Sequence, residues 1–300
     1  MRVTSETMHI CAGCDDTYAP VLSAMVCSFI AHLDRNQAFV LYVIEDMSGE
    51  NKDRIRSIVN RSSGRVEFIA ADLIWLGEYE PAEYVSHLSK LAYARLLIGD
   101  LLPQGVSKAI YLDCDTIVQH NLAELWQIGF GDKHLLVVED AFVTTVSHES
   151  ESIDVEALHL DPYQKYFNSG VLVIDLIYWR ASKIAQRMME YIVAHKEALH
   201  FADQTVFNIF FGTLCKFIDT RWNVPPYTKR SVRTLLQKPF IIHYCTGSKP
   251  WKHDYTSKYK FRFYKYAQNH PAHMSLTVRV ALRYILARIK LAAMKVVKRF

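Results

Sequence analysis

Short apolar runs alternate with helical patterns through the first half of the chain. The apolar runs predict strands at 8–13 (MHICAG), 39–46 (FVLYVIED) and 65–72 (RVEFIAAD), and helices over residues 18–32 and 49–61 lie between them. Strands that are apolar on both faces are typical of a parallel sheet that is covered by helices on either side. The pattern therefore predicts an α/β fold.

The second half of the chain continues this arrangement. Three more apolar runs, at 108–113 (KAIYLD), 134–140 (HLLVVED) and 170–176 (GVLVIDL), are expected to add strands to the same sheet. Helical patterns follow over about residues 177–197 and again from Asp203 onward.

Acidic residues follow three of the predicted strands. They are Asp15 and Asp16, Asp113 and Asp115, and Glu139 and Asp140. Ligands of open α/β sheets bind at the carboxyl ends of the strands, so a site is expected at this edge. The chain has neither a G-x-G-x-x-G segment after its first strand nor a P-loop lysine motif. This argues against dinucleotide-dependent redox chemistry and P-loop phosphoryl transfer.

The stretch AIYLDCDTIV, residues 109–118, carries the most specific of these acid pairs. In an extended chain Asp113 and Asp115 point the same way, while Cys114 faces the opposite side. Converging carboxylates repel each other unless a cation lies between them, and Mg²⁺ or Mn²⁺ held with a substrate diphosphate is a suitable cation. The structural alternative is a solvated strand end at which Asp115 or Asn121 caps the next helix.

A second chemical segment is HYCTGSKPW, residues 243–251. His243 is expected to complete the metal shell with a nitrogen donor, and Lys249 together with the turn amides to hold phosphate oxygens. In the structural alternative His243 is a hydrogen-bonded core residue and Lys249 is a surface charge.

Six segments, in order over about residues 8–253, carry a resemblance to a known family: AGCDDTYAP, LAYARLLIGDLLP, KAIYLDCDTIV, YFNSGVLVIDLIYWR, FADQTVFN and IIHYCTGSKPW. The chain resembles bacterial family 8 glycosyltransferases, the retaining galactosyl- and glucosyltransferases of lipopolysaccharide and lipooligosaccharide outer-core synthesis. The resemblance implies a glycosyltransferase-A fold with a mostly parallel nucleotide-binding sheet flanked by helices. It also implies transfer of glucose or galactose from a UDP-sugar, with Mn²⁺ or alternatively Mg²⁺ as the cofactor.

The resemblance further implies binding roles for residues in these segments. The metal ligands are Asp113, Asp115 and His243; the uracil site holds Asp15, Thr17 and Tyr18; the donor sugar and phosphates meet Arg95, Asn168, Ser169, Gly247 and Lys249. One departure is visible, because the family usually has glycine three residues after the histidine, where this chain has Thr246. Gly247 comes one position later, which weakens the expected contact of a glycine amide with the β-phosphate.

The catalytic residues implied by the resemblance are Asp140, Asp203 and Gln204, near the anomeric carbon. Retention of configuration requires either a covalent intermediate or attack from the face of the leaving group. An amide oxygen is a weak nucleophile, so we expect Gln204 to shield the developing cation in a front-face reaction, although Asp203 or Asp140 would be a better nucleophile if within reach. On residues alone, the favoured interpretation is that Asp203 caps a helix and Gln204 is a surface residue.

The C-terminal segment differs from the rest of the chain in charge. Residues 275–300 contain seven Lys and Arg and no acid, which leaves 4 − 7 = −3 on the remainder. On a helical wheel their apolar and basic residues separate, as in helices that lie on anionic membranes. We therefore expect a catalytic domain over 1–250, a basic amphipathic membrane-association segment over 251–300, and a cytoplasmic protein peripheral on the inner membrane. Docking of the tail onto the body, or RNA binding, is the alternative; nucleic acid is not an expected partner.

The aromatic residues just before this tail admit two interpretations. They extend the membrane surface or form a small core beneath the tail: Tyr255, Tyr259, Phe261, Phe263, Tyr264 and Tyr266. The expected partners are the UDP-sugar donor, a glycan or glycolipid acceptor, and the anionic membrane surface.

Other features of the sequence bear on thiol chemistry and on rival functions. The six cysteines are expected to be free thiols, and the C-x-x-C of Cys11 and Cys14 lacks the second pair that a zinc site needs. DCDTIV also matches the opening motif of haloacid-dehalogenase phosphatases, which makes such a phosphatase one rival function. A non-catalytic carbohydrate-binding protein is the other.

Overall fold

A seven-stranded sheet organises the part of the chain that the computed structural model describes, namely residues 6–70, 95–146, 161, 163–195, 202–226, 238–252, 255, 257 and 259–267. In chain order the strands are β1 (Met8–Asp15), β2 (Phe39–Asp46), β3 (Gly64–Ala70), β4 (Lys108–Leu112), β5 (Thr116–Val118), β6 (Leu135–Glu139), β7 (Phe167–Asp175), β8 (Cys215–Phe217) and β9 (Ile241–His243). The large sheet has the order β3-β2-β1-β4-β7-β6-β8, and β5 pairs with β9 in a small second sheet.

Strand direction decides which residues meet at the functional edge. β7 runs antiparallel to both of its neighbours, β4 and β6. The other pairings of the large sheet are parallel, so its remaining strands share one direction. The predicted mostly parallel sheet is confirmed, with β7 as an inserted antiparallel strand. The amino end of β7 therefore lies beside the carboxyl ends of β4 and β6.

Helices cover both faces of the sheet. They are α1 (Ala19–Ile30), α2 (Gly49–Val59), α3 (Ile98–Leu101), α4 (Leu122–Trp126), α5 (Leu176–Ala181), α6 (Ile184–Ala194), α7 (Ala202–Phe211) and α8 (Lys260–Ala267), with a short 3-10 helix at Thr220–Trp222. The prediction of one helix over 177–197 is wrong. Lys183 takes left-handed backbone angles (φ 51°, ψ 42°), which interrupts the α-helical hydrogen bonding and separates α5 from α6.

Alternation along the strands builds two cores, one on each side of the sheet. Ile10 and Ala12 of β1 pack into the core beneath α1, whereas Cys11 packs into the core beneath α5–α7. These side chains are fully buried, and burial of a large aliphatic side chain contributes roughly 1.5–3 kcal/mol. Cys14 lies on the α1 side, opposite to Cys11, so the two thiols of the C-x-x-C segment do not form one site. All six cysteines are free thiols, as expected.

Aromatic residues after position 250 pack into the core on the α1 side of the sheet. Phe263, Tyr264 and Tyr266 of α8 are buried there, together with Tyr255, while Phe261 remains 41% exposed. Of the two interpretations of these aromatic residues, the structure supports core packing. The predicted amphipathic helix over 275–300 lies outside the described residues. Within those residues, no helix combines the length and the apolarity that crossing a bilayer requires.

Candidate active site

Two carboxylates and an imidazole converge at the carboxyl edge of β4. Asp113 follows the end of β4, and Asp115 lies in a turn before β5 that Thr116 N closes by donating to Asp113 O at 3.2 Å. The expected extended geometry is therefore replaced by a turn, yet the two side chains still converge. His243 ends β9 and is paired with Thr116, which brings its Nε2 to 3.5 Å from Asp113 Oδ2 and 3.3 Å from Asp115 Oδ1. Ligand atoms of the three residues lie within 4.8 Å of one another.

Two neighbouring residues avoid steric conflict with this group. Cys114 points away and donates its thiol to Gly13 O at 2.8 Å, as expected. Gly170 faces the group, and a Cβ at that position would overlap the His243 ring and lie 2.6 Å from Asp113 Oδ2. Two carboxylates and one imidazole are suitable ligands for Mn²⁺ or Mg²⁺. Asn121, not Asp115, caps the following helix, by accepting from Ala123 N at 2.9 Å.

We predict that Gly170→Ala weakens divalent-cation binding by at least 10-fold, because its methyl group must displace His243 or Asp113. Gly105→Ala is the matched control, since nothing lies within 4 Å of its added Cβ. Calorimetric titration of both variants with Mn²⁺ measures the difference. Equal affinities in the two variants would contradict the prediction.

Positive groups surround the carboxylate pair. Lys249 Nζ lies 2.6 Å from Asp115 Oδ2 and donates to Tyr244 O at 2.7 Å. Burial raises the pKa of Asp115, but Lys249 and His243 outweigh it and hold the pKa below its ordinary value. Burial also lowers the pKa of His243, while Asp115 and Asp113 outweigh this effect and raise the pKa to about 9.

This pKa predicts a pH dependence of the metal-free protein. His243 has its pKa raised from 6.5 to about 9, so its contribution to stability is complete below pH 6.5 and is lost as the pH rises through 9. A bound cation needs the neutral imidazole, so Mn²⁺ binding at pH 7 is expected to release about one proton. Calorimetry of Mn²⁺ binding in buffers of different ionisation enthalpy measures that proton. His243→Gln should bind Mn²⁺ weakly and release none, and a wild-type titration without proton release would refute the assignment.

A buried arginine connects the metal group to α7. Arg95 Nη2 lies 3.0 Å from Asp113 Oδ1, and its Nε lies 3.0 Å from Asp203 Oδ2. Nη1 donates to the hydroxyl of Ser169 at 3.3 Å. Tyr111, which was not predicted, lies beneath the guanidinium and donates to Asp113 at 2.8 Å. Asp203 is thus a buried ion-pair partner.

A second polar group lies where β6, the amino end of β7 and α7 meet. Gln204 Oε1 accepts from Asn168 Nδ2 at 3.0 Å and from Ser169 N at 3.2 Å. Gln204 Nε2 donates to Asp140 Oδ2 at 3.3 Å, and Asn168 donates to the same oxygen at 3.2 Å. The other oxygen of Asp140 accepts from the backbone N–H groups of Phe142 and Val143. The structure therefore brings together Asp140, Asn168, Ser169, Asp203 and Gln204.

Two asparagines that the sequence reasoning missed support this group. Asn208, fully buried one turn after Gln204, accepts from Phe167 N and donates to Phe167 O, both at 2.9 Å, and so fixes α7 against β7. Asn223 contacts both His243 and Asn168. Asn208 stands in the FADQTVFN segment, so its spacing from Gln204 was a usable signal; no local pattern marks Asn223.

The predicted uracil residues lie at the start of α1. Asp15 Oδ1 accepts from Tyr18 N at 2.9 Å, and the Tyr18 ring meets Trp251 edge-on at 6.0 Å. Thr17 is exposed. Burial raises the pKa of Tyr18, and the positive charge of Lys249 opposes this rise.

Asp16 and Gly247 are the remaining positions named from the sequence. Asp16 turns away from the site and accepts from Ser48 and Asn51 at the start of α2. The position of a Cβ on Gly247 has nothing within 4 Å, so this turn is open.

A sheet of this order, with two acids and an imidazole at its carboxyl edge, fits the predicted glycosyltransferase-A fold. The sequence profile of Glycosyl transferase family 8 matches residues 9–255. The chain belongs to this family.

Individual relatives agree with this assignment. The chain is 30% identical over 283 residues to General stress protein A of Bacillus subtilis (strain 168), covering 88% of this chain and 95% of that protein. It is 24% identical over 280 residues to Lipopolysaccharide 1,2-glucosyltransferase of Escherichia coli (strain K12), covering 89% and 80%. A crystal structure of the galactosyltransferase LgtC in complex with donor and acceptor sugar analogs has a TM-score of 0.76 at 25% identity, covering 88% of this chain and 96% of that one.

Family membership makes the phosphatase alternative the weaker one.

Proposed function

We propose that the protein is a retaining hexosyltransferase that moves glucose or galactose from a UDP-sugar to a saccharide acceptor. The observation that carries the proposal is the convergence of Asp113, Asp115 and His243 beside Lys249, next to the polar group around Gln204. The first group suits a cation and a diphosphate, and the second offers amides and a carboxylate to sugar hydroxyls.

Different residues would bind the cation, the diphosphate and the base of the donor. Asp113, Asp115 and His243 would hold Mn²⁺, or Mg²⁺ in its place. When bound, the cation offsets negative charge on the departing diphosphate. Lys249 would add a positive charge beside the diphosphate, and Tyr18 would contact the base of the nucleotide. The guanidinium of Arg95 holds the carboxyl groups of Asp113 and Asp203 in place, so that the site needs little rearrangement when charge develops.

Hydrogen bonding around the three candidate nucleophiles favours front-face attack. Gln204 Oε1 already accepts two N–H groups, which withdraw electron density from an atom that is weakly nucleophilic in any case. Asp140 accepts from four N–H groups, two of them backbone amides. Asp203 is paired with Arg95 and faces Ser169. We infer that these residues orient the sugar and shield its cation, and that the leaving phosphate takes the acceptor's proton.

The acceptor that we propose is lipopolysaccharide or another lipid-linked glycan, at the cytoplasmic face of the inner membrane. Two observations support it. A relative that matches 89% of this chain is a lipopolysaccharide 1,2-glucosyltransferase, and the last 26 residues are strongly basic and amphipathic. Binding of the chain to vesicles with and without anionic lipid tests the membrane part separately from catalysis.

Donor turnover is the direct test. Release of UDP from UDP-glucose and from UDP-galactose is measured with and without Mn²⁺, in the presence and absence of a truncated lipopolysaccharide. The proposal expects metal-dependent release from one of the two donors, which the acceptor accelerates. A chain that binds sugar but releases no UDP from either donor would instead be the carbohydrate-binding protein considered above.

A further inference from the structure

A chain of side-chain amides runs behind His243 and ends at a backbone N–H group. Gly170 N donates to Asn168 Oδ1 at 3.0 Å, and Asn223 Nδ2 donates to the same oxygen at 2.8 Å. Asn223 Oδ1 lies 3.0 Å from His243 Nδ1. A backbone N–H can only donate, so it fixes the amide orientation of Asn168 and, through it, that of Asn223.

The orientation of Asn223 determines which ring nitrogen of His243 carries hydrogen and which one faces Asp113 and Asp115. Because Asn223 presents an oxygen to Nδ1, this nitrogen must carry hydrogen and donate it. Nε2 is then the atom that faces Asp113 and Asp115. Metal-binding imidazoles generally depend on such a partner at the other ring nitrogen, which sets the tautomer and the ring position. Asn223 is only 5% exposed, so water competes little for this contact.

The same amides reach the sugar side of the site. Asn168 Nδ2 donates both to Gln204 Oε1 and to Asp140 Oδ2. Asn168 thus makes four hydrogen bonds within the protein: two on the metal side, through its oxygen, and two on the side of the reacting carbon, through its nitrogen. Its predicted contact with the donor sugar therefore competes with contacts that hold the two halves of the site together.

We propose that Asn223 is a positioning residue, which holds His243 for the cation and joins the metal group to the Asp140–Gln204 group through Asn168. This inference rests on the proposed function, since it presumes that His243 binds a divalent cation. It adds a residue outside the segments that carried the family resemblance.

Two substitutions separate the two contacts of Asn223. Asn223→Ala removes both of them and is expected to weaken Mn²⁺ binding about 10- to 100-fold. Asn223→Asp keeps an oxygen facing Nδ1 but replaces the donor to Asn168 by a second oxygen. It should therefore bind Mn²⁺ at least as tightly as the wild type, while UDP release falls, because the second oxygen repels Asn168 Oδ1, which Gly170 N keeps in its orientation, and so displaces Asn168 from Gln204 and Asp140.

The experiment measures free Mn²⁺ by its paramagnetic resonance signal during titration of the full chain, with UDP present. Asn121→Ala is the matched control, because it removes an asparagine that caps α4 far from the cation group. That variant should lose stability without losing Mn²⁺ affinity. Should Asn223→Ala not fold, Asn223→Ser, whose hydroxyl is too short to reach Nδ1, takes its place.

The possible results separate the positioning role of Asn223 from the proposed function. Wild-type Mn²⁺ affinity in Asn223→Ala, or equal weakening in Asn223→Asp and Asn223→Ala, would overturn the positioning role and leave the proposed function standing. A wild-type chain that binds no Mn²⁺ with UDP would overturn both.

Discussion

The wild-type protein is expected to melt at a higher temperature when UDP and Mn²⁺ are both present, and replacing Asp115 by alanine is expected to abolish this rise. Asp115 contacts His243 and Lys249 through its two oxygens, so its loss removes a cation ligand and releases the lysine. UDP release should fall by a factor on the order of 10³, the size of effect seen when one stabilising group of a transition state is removed. Thermal melts with UDP, Mn²⁺ and both ligands, followed by turnover assays, measure the two effects.

Controls for this prediction come from the same residue type. Asp115→Asn keeps the size of the side chain and should lose the shift as well, whereas Asp132→Ala, at an exposed ion pair with Lys133, should keep it. A shift of the same size in the wild type without Mn²⁺ would show that the nucleotide binds independently of the metal group.

The largest stability effect is expected for Arg95→Leu. Arg95 is buried and pairs with Asp113 and Asp203 at 3.0 Å each, so leucine leaves the buried carboxylate of Asp203 and the partly buried carboxylate of Asp113 without the guanidinium. Removing one partner of a buried ion pair typically costs about 3–5 kcal/mol. Urea denaturation should show a loss of this order, together with loss of activity.

A second substitution checks the cause. Arg95→Leu combined with Asp203→Asn removes one of the stranded charges and should recover part of the lost stability. Arg56→Ala, which breaks an exposed pair with Asp53, should cost less than about 1 kcal/mol. A loss in Arg95→Leu no greater than in Arg56→Ala would show that the guanidinium contributes little to folding.

The features that were predictable from the sequence are those encoded by neighbouring residues. An apolar strand that ends in Asp113 and Asp115 is a local pattern, and the β1–β4 half of the sheet alternates with helices in chain order. The segment HYCTGSKPW suggested His243 as a third metal ligand, and the resemblance supplied Gln204. The structure brings both residues to the same edge.

Other features depend on contacts that no local pattern encodes. A strand buried on both faces reads the same in either direction, so the antiparallel course of β7 was not visible. Lysine is common in helices, so the left-handed turn at Lys183 gave no warning. Asn223 could not be identified as a site residue from the sequence, because only the fold places it between His243 and Asn168.

The position of α8 bears on how the enzyme can be shortened without loss of folding. The ring centroids of Phe263 and Trp251 lie 5.1 Å apart, and the Trp251 ring in turn meets the Tyr18 ring edge-on at the start of α1. A chain trimmed at residue 250 would strip aromatic rings from beneath α1 and leave an apolar surface that favours aggregation. Soluble expression without the basic tail is therefore best sought with a last residue beyond Ala267, so that α8 and its buried aromatic residues are retained.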